Sequence, residues 1–189
     1  DSGVPAAIGY AEKIKKNIEL GIIRNHYVGR TFIEPTQQIR SLGVKLKHSV
    51  NKTLIKNKSL ILIDDSLVRG TTSVKIIKML YEFGAKEVHL RIASPPIKYP
   101  DYYGVDTPTE EELLASKLDL EGMRKFINAT TLQFLSIEGL YKSMGIEKRN
   151  SSYPQFTDHC FTGEYPVEPV DANDKNFKDA QLSFLSSKF

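Results

Sequence analysis

Leu60-Ile61-Leu62-Ile63-Asp64-Asp65-Ser66-Leu67-Val68-Arg69-Gly70-Thr71-Thr72 is the stretch on which the reading of this chain turns. Ser59 to Ile63 has the pattern of a strand buried on both faces in a parallel sheet. Two adjacent carboxylates then stand at the strand's C-terminal end, the place where ligands bind in open α/β sheets. A short loop with Gly70 and two hydroxyls follows, and a helix begins. Backbone N–H groups of such a loop, with the helix N-terminus behind them, cradle a phosphate without needing a cationic side chain. Gly70 lets the backbone approach, while Thr71 and Thr72 supply hydroxyl donors. Asp64 and Asp65 can accept from sugar hydroxyls and help hold hydrated magnesium, a hard cation that takes oxygen ligands. The plainer reading is a strand-to-helix turn with Asp as cap and Gly for positive φ. The coincidence of strand, diacid, glycine and paired hydroxyls weighs against it.

Outward from the loop, residues 73–83 predict a helix. Ile76, Ile77, Leu80 and Phe83 form its apolar side, and Gly84 is placed to end it. Glu87–Ala93 is the next strand. Strand, loop, helix and strand make a βαβ unit, hence an α/β doubly wound architecture. Upstream, residues 4–18 predict a helix with Asp1 or Ser2 as N-cap and Pro5 in the first turn. Residues 21–48 read as a long connection, and connections of that length in a compact domain are usually functional or mobile. Downstream, 109–115 and 120–127 predict short helices, 132–137 a strand or extended segment, and 138–144 a helix. Beyond Gly145 the chain turns polar and irregular, with Pro154, Pro166 and Pro169. The expected organisation is a domain over 1–145 and a tail over 146–189 that packs on it.

The bulk properties narrow the function classes. With 40% hydrophobic and 26% charged residues, the 189-residue chain is of ordinary globular composition. A net charge of +3 is too small to imply nucleic-acid binding. The charge is uneven, since Arg40, Lys45, Lys47, Lys52, Lys56 and Lys58 occur within 40–58 without an acidic residue. That segment has no interleaved aromatics and no reader motif, so most of its lysines are expected on a solvated face. Cys160 is the single cysteine, which excludes an internal disulfide and favours a reducing, cytoplasmic compartment. No stretch has the apolar length of a membrane span.

The strand, diacid and Gly-Thr-Thr loop matches the PRPP fingerprint of type I phosphoribosyltransferases. A wider set of stretches resembles the glutamine PRPP amidotransferase (amidophosphoribosyltransferase) family. These are Asp1–Ala7, Asn25–Phe32, Gly43–Lys47, Ser94-Pro95-Pro96, Tyr103–Pro108 and Phe161–Pro166. The resemblance implies a type I phosphoribosyltransferase fold, a mostly parallel sheet flanked by helices, with an irregular or helical C-terminal tail. It implies a magnesium site of Ser2, Asp64 and Asp65, although Ser2 on its own signal is equally an N-cap. It maps the phosphate-binding loop onto Ser66–Thr72, including Arg69, Gly70, Thr71 and Thr72. Arg24–Thr36 corresponds to a loop that orders over PRPP, bringing Arg24, His26, Tyr27 and Arg30 toward the pyrophosphate or the reacting carbon. The implied chemistry is displacement of pyrophosphate from C1 of the ribose by ammonia, giving 5-phosphoribosylamine in de novo purine synthesis. Purine nucleotide inhibition and a homo-oligomer are implied as well.

Two departures stand out. Some family members hold an iron–sulfur cluster through cysteines at places that read here Asp101, Thr157 and Cys160; with one cysteine left, no cluster is expected. The family's glutaminase domain, which releases ammonia from glutamine, and the first strands of the transferase sheet precede the region seen here. The chain is therefore expected to be an N-terminally truncated piece of a longer enzyme rather than the product of a split or decayed gene. Three other readings compete: a type I phosphoribosyltransferase with a nucleobase acceptor, a PRPP-sensing module without catalysis and, weakest, a nucleic-acid binder.

Overall fold

The computed structural model of the chain describes residues 2–24, 48–105 and 107–167. Helix α1 (Val4–Lys13) starts behind Gly3 with no side-chain cap, so Ser2 does not have the capping role expected of it, and Asp1 lies outside the described residues. Pro5 sits in the first turn, where its missing N–H costs nothing. The helix ends at Lys13 rather than continuing to Ile18. Lys16 N–H donates to Ala11 C=O (3.0 Å), Lys15 N–H donates to Glu12 C=O (3.2 Å), and Lys15 lies at φ 54°. This is a Schellman closure built on lysine where glycine is usual, so nothing in the sequence marks the stop.

The expected long connection is framed by a short antiparallel pair, β1 (Ile22–Arg24) and β2 (His48–Val50), with Ile22 opposite Val50. Residues 25–47 between them lie outside the described residues. Asn51 caps α2 (Lys52–Ile55), its side chain accepting from the Thr53 and Leu54 N–H groups. Lys52, Lys56 and Lys58 around it are all exposed, as a solvated basic face should be.

The central sheet is parallel. Strand β3 (Ser59–Asp64) pairs with β4 (Glu87–Ile92) from Ser59↔Glu87 to Asp64↔Ile92, and β4 pairs with β5 (Thr131–Phe134), giving the order β3-β4-β5. Helix α3 (Thr71–Glu82) is the crossover from β3 to β4, so the expected βαβ unit is present. The expected helix over 109–115 is divided into a 3₁₀ turn, Glu110–Glu112, and α4 (Leu114–Lys117). Helix α5 (Leu120–Ile127) follows, capped by Asp119. Strand β5 stops at Phe134 because Ser136 already caps α6 (Ile137–Ser143), its hydroxyl accepting from Gly139 N–H at 2.9 Å.

The core forms where these elements meet. Val88, Leu90 and Ile92 alternate onto the buried side of β4 and join Ile77 and Leu80 of α3, Met123 and Ile127 of α5, and Leu132 of β5. Each such fully buried side chain contributes about 1.5–3 kcal/mol of transfer free energy. The sheet is thereby fixed as the platform for the tip of β3. None of the described helices is long and apolar enough to cross a membrane.

The described part of the tail is tied back to the loop after β4. Helix α7 (His159–Thr162) brings Cys160 C=O to the N–H groups of Lys98 (2.9 Å) and Tyr99 (3.1 Å). His159 Nε2 meets Asp101 Oδ2 at 2.6 Å, with both side chains buried. Asp158, also buried, accepts from Tyr141 Oη (2.9 Å) and from Arg149.

Candidate active site

Asp64 ends β3, and its carbonyl accepts from Ala93 N–H at 2.9 Å, which extends the β3–β4 ladder to the strand tip. The Asp65 side chain is exposed, whereas Asp64 is partly buried and its Oδ1 accepts from Asp65 N–H at 3.1 Å. Burial, followed by the hydrogen bond and negative charge of Asp65, pushes the Asp64 carboxyl up to about 6. A cation bound between the two carboxylates would relieve that strain, because it favours the ionised form of both.

Two carboxylates fit magnesium. Among the described residues no group of three or more His, Cys, Asp or Glu side chains could hold a metal, so such an ion would take its remaining oxygens from a hydroxyl such as that of Ser2, from substrate or from water. That is the ordinary manner of magnesium at phosphate sites. Ser2 is close by for a reason of backbone packing. A Cβ on Gly3 would stand 2.9 Å from Ile63 O and 3.1 Å from Asp64 Cα, so only glycine lets the start of α1 lie against the tip of β3.

Along the loop Arg69, Thr71 and Thr72 are exposed, while Leu67 and Gly70 are buried. Among the described residues, no hydrogen bond is donated by the backbone N–H groups from Ser66 to Ser73. The last three of these head the 12-residue helix α3 and carry its positive dipole end. Leu67 is buried in the core and anchors the loop from below. Gly70 is the N-cap of α3 at φ 76°, a left-handed conformation, and its missing Cβ leaves room for Leu114 Cδ2 and Phe126. Both reasons for glycine act at this one position. Thr71 and Thr72 are exposed beside it. Arg69 Nη2 donates to Glu112 Oε2 at 3.0 Å.

The strand tip thus brings together Ser2, Asp64, Asp65 and the loop Ser66–Thr72. Arg24 ends β1, its backbone opposite His48. His26, Tyr27 and Arg30 lie outside the described residues. Asp101 and Cys160 sit in the tail contact; burial raises the Cys160 thiol above its ordinary range, with Asp101 adding to the effect. Sequence reasoning did not find the bracing residues Glu112, Leu114 and Phe126. The one signal available was the requirement for glycine at position 70, which implies a neighbour without identifying it.

Comparison with known proteins agrees with this geometry. An amidophosphoribosyltransferase of Rhizobium etli is 57% identical over 188 residues, 99% of this chain. That of Bacillus subtilis is 51% identical over 168 residues, 89% of this chain. A solved glutamine PRPP amidotransferase from B. subtilis, complexed with ADP and GMP, superposes with a TM-score of 0.77 at 51% identity over 89% of this chain. By sequence and by fold, the chain belongs with the amidophosphoribosyltransferases. It spans 38% of the length of the R. etli relative and 37% of the solved B. subtilis chain. No family model matches. The amidophosphoribosyltransferase likeness agrees with the architecture described above, a parallel sheet with helices packed against it.

Proposed function

We propose that this chain is the phosphoribosyl-transfer portion of an amidophosphoribosyltransferase, binding PRPP with magnesium and exchanging its pyrophosphate for ammonia to give 5-phosphoribosylamine. The observation that carries the proposal is the pairing of a diacid at the β3 tip, Asp64 partly buried and Asp65 exposed, with a following loop whose amides are unspent. An anionic sugar phosphate supplies what both halves lack. The amides from Ser66 to Thr72 and the α3 N-terminus bind the 5-phosphate, and Asp64 and Asp65 receive the ribose hydroxyls and the hydrated cation. Magnesium, when bound, neutralises charge on the departing pyrophosphate.

The carbon under attack develops oxocarbenium character, as at other glycosidic centres. Ammonia is itself the nucleophile, so no side chain needs to form a covalent bond. The protein's task is to align the sugar, keep Asp64 ionised and exclude water. Arg24, His26, Tyr27 and Arg30 belong to this proposal as groups that close over the pyrophosphate. Ammonia comes from glutamine through a glutaminase portion beyond this chain, and the reaction is the first step of purine synthesis. The relative solved with ADP and GMP supports control by purine nucleotides. A cytoplasmic homo-oligomer without an iron–sulfur cluster completes the proposal.

The test is calorimetric titration of PRPP, with and without magnesium, into the natural polypeptide that carries this sequence. Asp65→Ala should weaken binding by about tenfold or more, the value of losing a charge-assisted contact, with the fold intact. Unchanged affinity contradicts the site. Tight magnesium-dependent binding without any ammonia-dependent turnover in the full polypeptide would instead favour a PRPP sensor.

A further inference from the structure

The phosphate loop is held from outside, because its own amides hold nothing. Besides Leu67, which anchors it in the core, three contacts do this, and they come from the segment Glu112–Phe126. Leu114 N–H donates to Val68 C=O at 2.9 Å. The Leu114 side chain, with Phe126, packs into the space left by the missing Cβ of Gly70. Arg69, between those two loop positions, is paired with Glu112 at 3.0 Å. The first two contacts, a backbone hydrogen bond and the packing of Leu114 and half-exposed Phe126, belong to the fold. The third is different. Arg69 and Glu112 side chains are 52% and 51% exposed, and an ion pair that wet contributes little to stability.

We propose that Glu112 is a positioning residue for Arg69, fixing its guanidinium beside the phosphate loop in the orientation that substrate binding uses. Guanidinium is a planar fork of five donors, and Glu112 engages one nitrogen, Nη2. The remaining donors stay available to an anion at the neighbouring amides. An arginine on a free stem would lose side-chain entropy on binding, and the carboxylate removes part of that loss in advance. The inference rests on the PRPP-binding reading given above and deepens it.

The test is a double-substitution cycle in the natural full-length polypeptide, read as Kd for PRPP with magnesium. Glu112→Gln should weaken binding by about fivefold to tenfold and raise KM more than it lowers kcat. Arg69→Gln should weaken it at least as much. The double variant should be no weaker than Arg69→Gln alone, since Glu112 acts only through Arg69. Glu112→Asp should recover part of the loss, and the thermal midpoint should stay at the parental value in every variant. Unchanged affinity in Glu112→Gln, additive losses in the double variant, or a lowered midpoint that accounts for the loss would each overturn the assignment. If parental PRPP binding is absent, or Asp65→Ala leaves it intact, the function itself is at fault rather than the role of Glu112.

Discussion

The backbone of Gly3 lies directly against that of Ile63 and Asp64, with room for hydrogen but not for a methyl group: an added Cβ would stand 2.9 Å from Ile63 O and 3.1 Å from Asp64 Cα. This contact is what places Ser2, at the head of α1, beside a diacid more than sixty residues away in the chain.

Gly3→Ala is therefore expected to move the start of α1 off the strand tip. The atoms in the way are main-chain atoms that cannot rotate aside, so overpacking should cost about 1–3 kcal/mol. Urea denaturation should report that loss, and calorimetry should show weaker magnesium-dependent PRPP binding. An unchanged midpoint with parental affinity would mean that α1 and β3 do not meet as described.

Gly70→Ala should destabilise through two additive causes. A left-handed φ of 76° disfavours any side chain, and the new methyl would stand 2.8 Å from Leu114 Cδ2. Together these are expected to cost about 1–3 kcal/mol. PRPP affinity should fall as well, because the loop would be displaced from its brace. Thermal unfolding and PRPP titration of one sample check both.

Asp64 supplies a pH signature. Burial and then Asp65 push its carboxyl up to about 6 from an unfolded value of 3.8. An acid raised in the native state favours the fold below the unfolded value, and that contribution is lost as pH rises through the native one. Asp64→Asn cannot ionise, so it should be more stable than the parent near about pH 8 and lose the advantage near about pH 4. Binding runs the other way. Magnesium and PRPP need the ionised form, so parental affinity should drop below about pH 6 by up to about tenfold per pH unit, more steeply than in Asp64→Asn. Parallel slopes in the two proteins would contradict this role.

The tail contact can be tested apart from the site. Burial alone would raise the Asp101 carboxyl, but hydrogen bonds from Val105 and Tyr103 N–H and from His159 outweigh it and hold the group low. Asp101→Asn keeps one acceptor oxygen and loses the charge, so it should cost about 2 kcal/mol and loosen residues 156–165. Proteolysis within that segment should quicken while PRPP affinity stays parental. Protection equal to the parent's would show that the pair does not anchor the tail.

The sequence made some of this legible and hid the rest for identifiable reasons. Strand β3, the loop and α3 were readable because each is a local pattern, but β3 is not buried on both faces as its apolar run predicts: it lies at the edge of the described sheet and leaves Ile61 exposed. The position of the diacid followed from the strand direction. The end of α1 at Lys13 was not readable, since Lys15 takes the left-handed position that glycine normally advertises. Nor did Ser2's own signal show whether it caps α1; Gly3 holds the N-cap position, against Ile63 and Asp64, and a magnesium role for Ser2 stays part of the proposal. The braces on the loop, Leu114 to Val68 and Glu112 to Arg69, join residues more than forty apart and leave no periodic trace. The same holds for Asp101 and His159, whose pairing across 58 positions appears only when the tail is folded back.

The most direct test of the central claim is hydrogen exchange of the amides from Ser66 to Thr72 in the natural polypeptide, measured with and without PRPP and magnesium. Those N–H groups make no internal hydrogen bond among the described residues, so they should exchange freely alone and become strongly protected when both ligands are added. In Asp65→Ala that protection should be lost. Exchange that is already slow without ligand, or that stays fast at saturating PRPP and magnesium, would contradict the account.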